Sequence, residues 1–192
     1  MSGEDRRKQI VETAIDVILQ KGLAQAATRD VTRALGVGSG LLHHYFPSWA
    51  ELRADAVRLA ATREIEAVKA LVDGVPAMEA LERVADWVVD DEDMRHWRLW
   101  LNALDEAHRD DLLADVMTAA MLDWHRLIAG LLVKLGEERG ATTSDADDAA
   151  WRLTALMDGL ASTMLVKGSA MTAMTARMLL KQQLRLECGQ QA

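Results

Sequence analysis

The chain has 192 residues, half of them hydrophobic, with a formal net charge of -8, which allows one or two domains with a real core and argues against a disordered chain. No apolar run reaches the roughly 20 residues of a membrane span, and no signal-peptide pattern opens the sequence. The single Cys188 excludes an intrachain disulfide and fits a reducing compartment. Only two prolines occur, and alanine, leucine, methionine and arginine dominate, which favours helix almost everywhere. The expectation is an all-α, soluble, cytoplasmic protein with no membrane partner.

The first helix is expected from about Asp5 to Lys21, with Ile10, Ala14, Val17 and Ile18 inward and Gly22 as its stop. Leu23 then packs under a loop leading to Thr28, a candidate N-cap. Val31 and Leu35 give the second helix a buried stripe. Gly36 permits a positive φ, and Val37 is the apolar plug of the turn. Ser39 and Gly40 open a third helix with Leu42 and Phe46 four apart on its inward side. Ser39, Leu41, His43 and His44 are then free to face something other than the core. A helix-turn-helix that sets its second helix into the DNA major groove needs this layout; a glycine turn alone also fits an ordinary helical hairpin.

Pro47 breaks the chain, and Ser48-Trp-Ala-Glu51 is a capping box opening a helix that lasts to about Val72. Asp73-Gly-Val-Pro76 ends it. Further helices are expected at about 77–90, 93–106, 108–138, 144–167 and 171–187, making about nine. The acidic run Asp90-Asp-Glu-Asp93 reads as a solvated loop whose last acid caps the next helix, a cation site being the alternative. Gly136, Gly140 and Thr142-Thr-Ser-Asp145 mark another loop and cap, and Lys167-Gly-Ser169 the last.

Charge is unevenly spread. Through Glu51 there are six basic and six acidic residues, against 16 and 24 beyond. The whole -8 therefore sits after residue 51, and a neutral N-terminal segment precedes an acidic body. Phosphate binding usually wants a basic face, so charge weakens the DNA reading without overturning it.

Ile10, Ala14 and Gly22, then Thr28-Arg-Asp-Val31, Ala34-Leu-Gly-Val37, Gly40, Leu42, His44-Tyr-Phe46, Pro47-Ser48 and Leu52 are spaced as in a known family. Over about 45 residues the chain resembles the tetracycline-repressor (TetR) type of bacterial transcriptional regulators. Gly38-Ser-Gly-Leu-Leu-His-His-Tyr-Phe46 is particularly similar to the betaine-synthesis repressor branch. The resemblance implies a homodimeric, ligand-responsive repressor. Residues 1–47 would form a three-helix DNA-binding domain, residues 48–192 a ligand-binding and dimerisation domain, and helix 48–72 the lever between them. Met157-Asp-Gly-Leu160 resembles the segment such regulators place at their dimer interface.

Carried over by position, Arg29, Ser39, Gly40 and His43 would meet base edges. Arg29 suits guanine, and Leu41 a thymine methyl. Thr28, His44 and Tyr45 match positions that hold phosphates and set the register. Two residues depart from the family. Trp49 stands where a phosphate-binding lysine is usual, leaving only an indole N–H to donate. His43 replaces the usual tyrosine, so base preference does not transfer from relatives.

The larger region carries five tryptophans besides Trp49. Each alone reads best as core filling; together Trp87, Trp97, Trp100, Trp124 and their neighbours Leu101 and Met121 suggest an aromatic-lined pocket. Asn102, Asp105, His125 and Asp158 are its candidate polar groups. Such faces suit a cationic or quaternary-ammonium ligand by cation–π attraction, with a neutral aromatic or acyl ligand as the alternative. Leu153, Met157, Leu160 and Met164 form one association stripe and Met171, Met174 and Met178 another, although methionine also fills irregular cores. Two helices from each subunit would make a four-helix interface, placing two recognition helices over a near-palindromic operator.

No Ser/His/Asp series, phosphate loop, HExxH or CxxC occurs, so no enzyme is expected. His43 and His44 point about 100° apart on a helix without further ligands at suitable spacing, so neither metal nor cofactor is expected. A helical small-molecule-binding protein that no longer uses DNA remains the alternative, motivated by Trp49 and the neutral N-terminal segment.

Overall fold

The computed structural model describes residues 2–90, 94–140 and 145–189. Among the described residues the chain is nine α-helices without a strand: α1 (Gly3–Lys21), α2 (Thr28–Leu35), α3 (Ser39–Tyr45), α4 (Trp49–Val72), α5 (Ala77–Val89), α6 (Arg95–Ala107), α7 (Asp111–Glu138), α8 (Ala146–Met164) and α9 (Ala173–Glu187). The acidic run at 91–93 and the cap segment at 142–144 lie outside the described residues. Helix α1 starts earlier than apolar periodicity suggests, because Ser2 and Asp5 form a reciprocal capping box. The Ser2 hydroxyl accepts the Asp5 N–H at 3.0 Å, and the Asp5 carboxylate accepts the Ser2 N–H at 2.9 Å.

Two compact units result. The first holds residues to Arg63 together with Arg95–Ala120; the second holds Glu64–Met94 and Met121–Ala192. In the first, α1 packs on α2 and α6, and α2 on α3, burying Ile10, Ala14, Ile18, Val31, Leu42, Phe46 and Leu52. Gly36 carries φ 66° at the end of α2, the left-handed value that a Cβ disfavours, and the Val37 N–H returns to the Thr32 carbonyl at 3.0 Å.

In the second unit α5, α8 and α9 pack on one another through Leu81, Val84, Ala85, Leu153, Met157, Leu180 and Leu184. Helix α5 has Pro76 at its N-cap position, where no side-chain cap is available. Glu138, at the end of α7, supplies one, accepting the Ala77 N–H at 3.0 Å. Asp86 of α5 meets Lys181 of α9 at 2.9 Å.

Helix α7 is, by length and composition, apolar enough to cross a membrane. A search for one uninterrupted run misses this because Asp123, His125 and Arg126 break the apolar string. Within the second unit, Ile128, Leu131, Leu132 and Leu135 of this helix are buried.

Candidate nucleic-acid interface and effector residues

The start of α2 is held differently from the expected hydroxyl cap. Ala27 occupies the N-cap position and Thr28 is the first helical residue, with no side-chain cap at Ala27. Asp30, one turn in, reaches back to accept the Ala27 N–H at 3.2 Å. The same carboxylate, nearly buried, accepts Lys21 Nζ at 2.5 Å and lies 3.6 Å from the Arg33 guanidinium. The Lys21 hydrogen bond, working against burial, holds Asp30 below the usual carboxylate range. One aspartate thereby ties the C-terminus of α1 to the N-terminus of α2.

Leu42 and Phe46 anchor α3 in the core, at 2% and 1% exposure. Four side positions from that stripe, Ser39, Gly40, His43 and His44, are exposed, while Leu41 and Tyr45 are half-buried. Arg29 is exposed, and Thr28 and Trp49 are half-buried. The expected readers thus line the outward side of the helix-turn-helix. His44 meets the Tyr45 ring edge-on at 5.1 Å. Helix α3 carries no lysine or arginine.

Two arginines make ion pairs between helices of this unit. Arg7 of α1 lies 4.7 Å over the Phe46 ring and also pairs with Asp55 of α4. Arg53 pairs with Asp110 at 2.5 Å and Glu106 at 3.4 Å. Spacing in the sequence signalled neither contact, since the partners lie 48 and more than 50 positions away.

The residues expected to line a ligand pocket divide between the two units. Trp97, Trp100, Leu101, Asn102 and Asp105 belong to the first; Trp87, Met121, Trp124, His125 and Asp158 belong to the second. Trp97 and Trp100 are buried, whereas Asn102 and Asp105 are exposed on other sides of α6. The reason is angular: Asn102 follows Trp100 by about 200° around a helix, and Asp105 by about 140°. The Asn102 amide donates to the Arg98 carbonyl at 2.5 Å, beside a shallow cleft of about 200 Å³ bounded by Ile18–Leu23, Arg95 and Leu99. Asp105 pairs with Arg109. In the second unit the Trp87 and Trp124 rings lie 5.4 Å apart, with Met121 and Asp158 half-buried. His125 packs against α8. It is buried, stacks on Trp151 at 4.3 Å, and its Nε2 lies 3.2 Å from the Asp147 carbonyl oxygen.

The association stripes also need correction. Leu153, Met157 and Leu160 are 0%, 4% and 6% exposed within the single chain, where they face α5 and α9. They cannot line a surface that a second copy meets. Apolar spacing marks the face a helix buries without saying which neighbour buries it. Met164 and Met171 are half-exposed, and Met174 and Met178 are 78% and 59% exposed. On α8 the open side runs instead through Trp151, Ala155, Gly159 and Ser162.

Comparison with known proteins agrees with this geometry. Residues 10–56 match the family of bacterial regulatory proteins of the tetR type, and residues 76–189 match the C-terminal region of BetI-type transcriptional repressors. The HTH-type transcriptional regulator PksA of Bacillus subtilis is 32% identical over 166 residues, covering 82% of this chain and 78% of PksA. The HTH-type regulator BetI of Rhizobium meliloti is 30% identical over 159 residues, covering 81% and 75%. A transcriptional regulator from Saccharomonospora viridis, solved in complex with choline, superimposes with a TM-score of 0.82 at 25% identity, covering 93% of this chain and 95% of that one. The exposed recognition helix, its buried Leu42–Phe46 anchor and these matches make the chain a member of the TetR family of helix-turn-helix transcriptional regulators, with a C-terminal region of the BetI type.

Proposed function

We propose that the protein acts in the cytoplasm as a homodimeric repressor whose grip on a near-palindromic operator changes when a cationic small molecule binds the C-terminal region. Residues 1–47 bind DNA, residues 48–192 bind ligand and the second copy, and α4 joins the two tasks. The observation that carries the reading is the outward face of α3. Ser39, Gly40 and His43 stand clear of the core, Arg29 is exposed on α2, and Leu41 is half-buried and offers an apolar contact. Thr28, His44, Tyr45 and Trp49 flank that face and would hold phosphates. A two-fold dimer then places one such helix in each of two successive major grooves.

The effector class is supported by the Trp87–Trp124 pair and by choline in the Saccharomonospora relative. Indole faces attract a quaternary ammonium group. The ligand shifts the dimer toward a form in which the recognition helices no longer fit adjacent grooves, by its difference in affinity for the two forms. For the dimer, Met171 just before α9, Met174 and Met178 on α9, and the open side of α8 supply an apolar surface that a second copy would cover.

The test is a gel shift with duplex DNA from beside the protein's own gene, with and without choline. A specific complex that choline weakens is expected. A protein that binds choline and ignores every such duplex would instead favour a helical ligand-binding protein released from DNA, the reading that Trp49 and the neutral N-terminal segment motivate.

A further inference from the structure

We propose that operator binding takes up protons at His43 and His44, so that the recognition helix acquires its positive charge as pH falls and then grips DNA more tightly. Helix α3 runs Ser39-Gly-Leu-Leu-His-His-Tyr45, with no lysine, arginine or carboxylate of its own. Both imidazoles are exposed, beside the buried Leu42 and Phe46. Among the described residues neither forms a hydrogen bond or ion pair with the chain, and His44 meets the Tyr45 ring edge-on at 5.1 Å. A neutral imidazole offers one donor and one acceptor, whereas the protonated ring offers two donors and a charge. About 100° of helical turn separates the two rings, so His43 can face base edges while His44 meets a phosphate.

The charged groups of α1, α2 and α4 around the helix-turn-helix are otherwise engaged or are themselves cations. On α2, Arg29 and Arg33 are exposed, and Asp30 accepts Lys21 Nζ at 2.5 Å. On α4, Asp55 pairs with Arg7 of α1, and Glu51 accepts the Ser48 hydroxyl at 3.5 Å. These carboxylates have partners of their own, which leaves duplex phosphates as the anions that a charged imidazole on this face would meet. Phosphate brought against the face favours the charged ring, and histidine is the side chain whose charge ordinarily changes between about pH 5 and 8. A group that binds more protons in the complex than in the free protein makes affinity rise as pH falls. The segment through Glu51 is otherwise balanced, six basic residues against six acidic, so protonation turns a neutral DNA-binding segment into a basic one. The inference rests on the DNA-binding reading above and adds a regulation to it.

Fluorescence anisotropy of the full-length chain at fixed ionic strength tests it, on a duplex spanning the DNA beside the protein's own gene. From about pH 8 to about pH 6, wild-type affinity should rise about tenfold or more, since one net proton taken up per pH unit is a factor of about ten. The logarithmic salt slope of the dimer should steepen by about two over the same range, one added phosphate per subunit. The double variant His43→Gln, His44→Gln stays neutral at every pH used and should lose both effects, while each single variant keeps part of the rise. Both side chains are exposed, so neither substitution disturbs the core. A wild-type affinity that changes by less than about twofold, or a double variant that keeps the full rise, overturns the proposal. Specific binding that ignores pH removes the proton linkage alone. A chain with no preference for this duplex over unrelated DNA at either pH sinks the regulator reading and the linkage with it.

Discussion

The indole rings of Trp87 and Trp124, contributed by α5 and α7, lie 5.4 Å apart and tilted by 39°. Two ring faces held in this way can be shared with a positive charge. Calorimetry should show choline binding to the wild type, with either Trp87→Ala or Trp124→Ala weakening it about tenfold or more, because a desolvated cation–π contact contributes about 1–2 kcal/mol. A neutral isostere carrying a tert-butyl group in place of the trimethylammonium should bind less well than choline. Equal affinity for the charged and neutral compounds would remove the electrostatic basis of the effector assignment.

Removing the Arg7 side chain should have a modest effect on stability and a larger one on DNA. The ring contact with Phe46 and the partly exposed pair with Asp55 together contribute about 1 kcal/mol. Arg7→Ala should therefore lower the urea midpoint slightly while weakening operator binding, since the end of α3 loses its cover. Phe46→Ala, which empties a fully buried site, should cost about 3–5 kcal/mol. Denaturation of the two variants side by side checks the contrast.

The two stripes first read as one association surface should now behave differently. Met178→Glu places a charge on an exposed methionine and should leave the monomer folded while dissociating the dimer, as sedimentation would show. Leu153→Ala sits in the core of one chain and should cost about 2–5 kcal/mol of stability. A Leu153→Ala protein that is fully stable but monomeric would return that residue to the interface.

Asp110 gives the first unit an acid sensitivity of known sign. Burial raises its pKa, but hydrogen bonds from Arg53 and the Leu113 amide outweigh this and leave it below the ordinary value of about 3.9. A carboxylate depressed on folding contributes stability that is fully present above its unfolded value. That contribution is lost as pH falls through the lower folded value. Asp110→Asn should thus flatten the stability profile below about pH 4 and change little of its slope near neutrality. Urea midpoints of both proteins between pH 3 and 7, on the order of one pH unit apart, would show the convergence.

The family resemblance implies a lysine at the position of Trp49, and introducing that charge should be visible in salt dependence. Trp49→Lys adds one phosphate contact per subunit, which steepens the logarithmic salt slope of a dimer by about two. An unchanged slope would mean that this residue does not reach the backbone of the duplex.

Helix order, the turn at Gly36 and the buried Leu42–Phe46 pair were legible because each depends on neighbours three or four residues apart. The partners of Arg7, Arg53 and Lys21 were not, since ion pairs between helices leave no periodic trace in a chain. Thr28 looked like a cap because it is the polar residue at the helix start, yet the helix begins one residue earlier and the carboxylate of Asp30 reaches back to the Ala27 N–H with Lys21 behind it. Asn102 and Asp105 lie close to Trp100 in sequence, and the helix turns them to other faces. Leu153, Met157 and Leu160 show the same limit, because an apolar stripe does not say whether its cover comes from the same chain.

The central claim is that the outward face of α3 enters duplex DNA, and a salt titration of operator binding tests it most directly. With about four phosphates touched by each of two subunits, the slope of log affinity against log salt should approach roughly -7. A slope near zero on operator-length duplex would contradict the account.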